Sequence, residues 1–178
     1  MAHSSESADG PAGQRAVDVT AQDGRGRTTE TTIRYRDVGE GRPLVLLHGV
    51  GLDAKHISWK HAIPRLADDH RVIAPDLPGH GDSDKPRIRY TTDYYVDVLS
   101  ALVDELGLDR PSVAGISMGG AIALGYALTE PVEQLALVDS YGLGTDATWR
   151  PMAAAALRFP VVDQFVWNTM GVNEGTVR

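Results

Sequence analysis

The sequence predicts an α/β domain built on a doubly wound, mostly parallel sheet. Three observations lead there. The apolar runs "LVLL", "RVIAP", "SVAGI" and "LALV" are too continuous for half-exposed strands and suit strands covered on both faces. Helix-patterned segments separate them, which is the alternation that builds a parallel sheet. The runs also end in residues with chemistry, at His48-Gly49, Asp76, Gly115-Ile116-Ser117 and Asp139, so such groups collect at the carboxyl edge.

The elements follow in order. The first 14 residues, "MAHSSESADGPAGQ", are small and polar and read as a disordered tail, lacking the basic start and apolar core of a secretory signal. Two strands then flank a turn at Asp23-Gly24, the second rich in β-formers from Thr29 to Tyr35. A strand over "RPLVLLHG" precedes a helix over 55–67, in which Pro64 is a local flaw. "RVIAPD" is a strand and "LPGHGDSDKP" a loop. Thr92-Asp93 opens a helix whose Tyr95, Val98, Leu99, Leu102 and Leu106 share one face, and Gly107 stops it. "PSVAGI" is a strand, 118–128 a helix and "QLALVD" a strand. Residues 15–141 thus form the core, and 142–178, helical and apolar, read as the start of a cap over it.

Composition narrows the function. The 178 residues carry a formal charge of −7, which argues against nucleic-acid binding. The basic run "KPRIR" at 85–89 is short and reads as a solvated loop. No apolar stretch approaches a membrane span. The chain has no cysteine, which removes disulfides, thiolate zinc sites and a cysteine nucleophile together. A cytoplasmic protein acting on a small molecule is the expectation; oligomeric state is not legible.

Three chemistries compete for the motifs. Gly115-x-Ser117-x-Gly119 lies between a predicted strand and a predicted helix, the context that makes such a serine a nucleophile. A sharp turn there lifts the hydroxyl above the sheet edge, and the Met118 amide at the helix start faces an incoming oxyanion. The plain alternative is a glycine-rich connection with an idle serine. Gly49-Val50-Gly51-Leu52-Asp53-Ala54 matches a dinucleotide fingerprint, with Asp76 in the order a ribose-binding carboxylate would take. Two strands precede it, however, whereas a nucleotide-binding unit opens its domain. His56, His61 and His70 are the third candidate, as metal ligands, but their spacing fits no helical zinc pair. Neither a metal nor a cofactor is expected.

Three segments in one order, "LVLLHGVG" (44–51), "RVIAPDLPGHGDSDKP" (71–86) and "VAGISMGGAIALGYA" (113–127), resemble the α/β-hydrolase superfamily. The resemblance covers about 34–140. It points to the branch of esterases, carbon–carbon bond hydrolases, cofactor-free haloperoxidases and dehalogenases. The stretch 58–86 is similar to the dehalogenase and epoxide-hydrolase first half, but those enzymes place an aspartate where this chain has Ser117. The resemblance therefore implies cleavage of an ester, thioester or carbon–carbon bond. It implies Ser117 as nucleophile, Met118 and Val50 as the two oxyanion-hole amides, and Asp139 as a possible acid. His48 and the loop 79–83 match features that are structural in most members. Trp59 near the first helix, and Trp149 and Trp167 in the cap, have core packing as their default role.

The base is the gap. The histidines stand at 3, 48, 56, 61, 70 and 80, all before Ser117, whereas the family order is serine, acid, histidine. His48 and His80 share the carboxyl edge with Ser117, but a stand-in base must also be oriented by a third group and reach the hydroxyl. The expectation is an N-terminal portion of an α/β-hydrolase, truncated before its histidine, with little or no activity alone. "QLALVD" would then be an uncovered apolar edge. A non-catalytic binding protein of the same fold is the rival from another class.

Overall fold

A computed structural model describes residues 13–50 and 55–143. Most of the tail, the fingerprint residues 51–54 and the cap beyond 143, with Trp149 and Trp167, lie outside the described residues. All the elements below belong to the unit Met1–Tyr141.

The strands are β1 (Gln14–Gln22), β2 (Thr28–Val38), β3 (Arg42–Leu47), β4 (His70–Pro75), β5 (Ser112–Ile116) and β6 (Leu135–Val138). The helices are α1 (Lys55–Ser58), α2 (Ile63–Leu66), α3 (Thr92–Glu105) and α4 (Met118–Thr129). Together the strands form one six-stranded sheet in the order β1-β2-β4-β3-β5-β6. β1 and β2 are antiparallel, β2 meets β4 antiparallel, and β3, β4, β5 and β6 run parallel. The mostly parallel α/β sheet expected from the sequence is the fold observed.

Alternation along the strands explains the continuous apolar runs. Val45, Leu47, Ile73 and Val113 enter the cluster formed with Val98, Leu99 and Leu102 of α3 and Ile122 and Tyr126 of α4. Their neighbours Leu44, Leu46, Val72, Ala74 and Ala114 join Ile63 of α2 in a second cluster, against which Trp59 packs. Successive side chains point to opposite faces, so a strand covered on both sides has no polar position to spare.

Two local differences from the sequence reading have physical causes. The single helix expected over 55–67 is two four-residue helices, and Pro64 sits in the first turn of the second, where a missing amide proton costs no hydrogen bond. The cap of α3 is Thr91, whose hydroxyl accepts from the Tyr94 amide at 3.1 Å, rather than Thr92. β1 also takes in Gln14, the last residue assigned to the tail, whose side-chain amide donates to Asp82 at 3.1 Å.

From β3 the chain passes to β4 on one side and then crosses back to β5 on the other. The carboxyl ends of β3 and β5 therefore flank the point where the winding reverses. Crevices at such points are where open α/β sheets bind ligands. β6 closes the described sheet, with Leu135 and Val138 exposed, so the apolar edge anticipated from "QLALVD" is present.

Candidate active site

Ser117 is the one residue between β5 and α4, and its backbone stands at φ 53°, ψ −114°. That conformation is costly for any residue with a Cβ, so the surrounding structure must impose it. Its amide donates to the Val138 carbonyl at 3.0 Å, and its carbonyl accepts from the Tyr141 amide at 2.9 Å and the Gly120 amide at 3.1 Å. The end of β6 and the turn after it thus clamp the bend on both sides.

The glycines make the bend sterically possible. A Cβ on Gly115 would collide with the Gly119 carbonyl, and one on Gly119 would stand 2.5 Å from the carbonyl oxygens of Leu47 and His48. A Cβ on Gly120 would meet the Ser140 side chain at 2.7 Å. Each glycine of "GISMGG" is therefore required by a specific close approach, including the third, which the five-residue motif does not contain.

The hydroxyl is not spent on local structure. Thr91 caps α3 through its side chain, but Ser117, in the same position at α4, makes no capping hydrogen bond. Met118, the first residue of α4, carries an amide that the helix itself cannot satisfy. Val50 follows His48-Gly49 at the end of β3 and is 55 % exposed. Because Gly119 packs against the Leu47 and His48 carbonyls, the β3 end and the α4 start are adjacent.

The neighbouring loop is tightly fixed. His48 is fully buried: its Nε2 accepts from the Leu77 amide at 2.9 Å, and its Nδ1 lies 2.7 Å from the Gly49 carbonyl. The His80 ring meets it edge-on at 5.1 Å between centroids and places Nδ1 3.2 Å from the Pro78 carbonyl. The same carbonyl accepts from the Tyr95 hydroxyl at 3.0 Å. Tyr95 stacks on Tyr90, whose phenol burial pushes up to about 12, with Tyr94 nearby adding to the shift. The resemblance implied a structural role for His48 and the loop 79–83, and the helical pattern placed Tyr95 on the shared apolar face; the hydrogen-bond partners of these side chains were not legible in the sequence.

Asp76 bears on the dinucleotide alternative. Its carboxylate is fully buried and accepts from the Asp82 amide at 2.9 Å, while its carbonyl accepts from the Ser83 hydroxyl at 2.6 Å. That commitment to the 76–84 loop leaves it unsuited to a ribose. Asp139, in contrast, is exposed directly after β6, with φ 44°. It shares the carboxyl edge with Ser117 through the Val138 tether. His48, with its acceptor nitrogen filled by Leu77, is removed as a stand-in base. Among the described residues no three His, Cys, Asp or Glu side chains gather as a metal site.

Residues 42–160 match the family model for the alpha/beta hydrolase fold. The chain belongs to the α/β-hydrolase fold family. Among its relatives is the 2-hydroxy-6-oxo-2,4-heptadienoate hydrolase of Pseudomonas putida, 34 % identical over 148 residues, covering 78 % of this chain and 54 % of the relative. Among solved structures, the meta-cleavage product hydrolase of Pseudomonas fluorescens is 33 % identical with a TM-score of 0.63, over 73 % of this chain and 47 % of that one. A thermophilic esterase from Thermogutta terrifontis is 28 % identical with a TM-score of 0.68, over 87 % and 57 %. This α/β-hydrolase chain spans about half the length of the curated relatives it matches. No described helix is long and apolar enough to cross a membrane.

Proposed function

We propose that this chain carries the nucleophile and oxyanion-binding part of a serine hydrolase that cleaves an ester, thioester or carbon–carbon bond in a small molecule. The observation that carries the proposal is the Ser117 backbone, held at φ 53° between a strand and a helix with its hydroxyl unused as a cap. Strain of this kind persists where the surroundings enforce it, and it clusters at working sites.

In the proposed chemistry the Ser117 oxygen attacks the substrate carbonyl carbon, and its proton passes to a base. The carbonyl oxygen becomes an oxyanion that accepts hydrogen bonds from the Met118 and Val50 amides. Collapse expels the leaving group, an alcohol, a thiol or a stabilised carbanion that takes up a proton. Water then attacks the acyl-serine and releases the acid. The hydrolases named for 2-hydroxy-6-oxo-2,4-heptadienoate and for meta-cleavage products favour a ketone substrate and carbon–carbon cleavage. Asp139 is the proposed acid, by its place at the same edge.

No histidine follows position 80, His48 is committed to backbone partners, and the buried His80 packs edge-on against His48 with its Nδ1 3.2 Å from the Pro78 carbonyl. A nucleophile with an oxyanion cradle and no base retains only slow turnover. The 178-residue protein is therefore expected to hydrolyse p-nitrophenyl acetate barely above the uncatalysed rate. Rapid turnover that Ser117→Ala abolishes would show that a base is present after all.

A further inference from the structure

The proposed chemistry leaves a buried titratable side chain beside the oxyanion cradle without a task. A backbone amide can only donate, so the 2.9 Å contact from Leu77 requires His48 Nε2 to accept. The neutral ring then carries its proton on Nδ1, and that N–H donates to the Gly49 carbonyl at 2.7 Å. His80, edge-on at 60° and itself tied to Pro78, packs against the ring on one side. Rotation of the ring would break both hydrogen bonds at once.

We infer that His48 is a positioning residue that aims the Val50 amide. A trans peptide is planar, with its C=O and N–H pointing in opposite directions. Holding the Gly49 oxygen therefore fixes the plane of the Gly49–Val50 peptide and with it the direction of the Val50 N–H. Glycine is the residue whose peptide turns most freely, so the tether acts where the backbone would otherwise be least defined. Histidine suits the place because one rigid ring accepts from the loop after β4 and donates to the loop after β3. The inference rests on the assignment of Val50 as an oxyanion donor.

Two measurements test it. Long-range 1H–15N spectra of the intact protein are expected to show His48 as the Nδ1–H tautomer; an Nε2–H tautomer overturns the inference. The second measurement compares His48→Asn with His48→Gln. The asparagine amide lies near the Nδ1 position and keeps a donor for Gly49, whereas the glutamine amide lies near the Nε2 position and keeps only a partner for Leu77. Each variant gives up one of these two hydrogen bonds together with the ring contact to His80, so their urea midpoints are expected to fall alike. Ser117 phosphonylation by an alkyl fluorophosphonate is expected to stay within about threefold of wild type in His48→Asn and to drop roughly tenfold to a hundredfold in His48→Gln. Equal rates in the two variants, with wild-type Ser117 labelled, overturn the positioning role alone. An unlabelled wild type with the Nδ1–H tautomer in place overturns the serine-hydrolase assignment, and the role of His48 with it.

Discussion

A Cβ added to Gly119 would stand 2.5 Å from the carbonyl oxygen of His48. The first turn of α4 is pressed against the end of β3, the two segments that carry the proposed oxyanion donors. Gly119→Ala must push these backbones apart, at a cost of about 1–3 kcal/mol. It is expected to lower the urea midpoint and to slow phosphonylation of Ser117. Gly26→Ala is the control. Gly26 has φ 74° with nothing within 4 Å of a new Cβ, so only the left-handed penalty of about 1 kcal/mol applies and labelling is expected to persist.

The strain at Ser117 is measurable without any substrate. Ser117→Ala keeps a Cβ at φ 53° and should leave stability near wild type. Ser117→Gly removes the steric cost, roughly 1–3 kcal/mol, against a backbone entropy penalty of about 0.5–1 kcal/mol. The glycine variant is therefore expected to be more stable than the alanine variant by about 1 kcal/mol in urea denaturation. Equal stabilities would mean that the bend costs nothing.

The β1–β2 turn predicts a pH dependence. Asp23 accepts from the Arg25 and Arg27 amides at 2.8 and 3.0 Å and from the Arg27 guanidinium at 2.6 and 2.8 Å. The Arg27 hydrogen bonds, first of all that from its side chain, lower the carboxyl from its ordinary 3.8 to about 2. A pKa lowered in the folded state gives stability that is full above the unfolded value and lost as pH falls through the folded one. Asp23→Asn is expected to be less stable than wild type at neutral pH, and the gap to shrink between about pH 4 and about pH 2. Urea midpoints measured across that range check it; a constant gap would contradict the assignment.

Much of this was legible in the sequence because the signals were local. The continuous runs around Val45, Ile73 and Val113 announced buried parallel strands, and the glycines around Ser117 announced a tight strand–helix turn. The third glycine was readable too, although its reason, the Ser140 side chain, lies twenty residues away. What escaped is non-local or depends on precise geometry. Nothing near His48 says that Leu77 fills its acceptor, and nothing near Asp76 says that Asp82 claims its carboxylate. The split of the 55–67 segment escaped for a different reason: Pro64 is equally at home as a flaw inside a helix and as the start of a new one.

The most direct test of the central claim is the site of covalent modification. The protein is incubated with an alkyl fluorophosphonate and digested, and the adduct is located by peptide mass mapping. Phosphonylation is expected on Ser117 and absent from Ser117→Ala. An adduct on another serine, or none after prolonged exposure, would contradict the account.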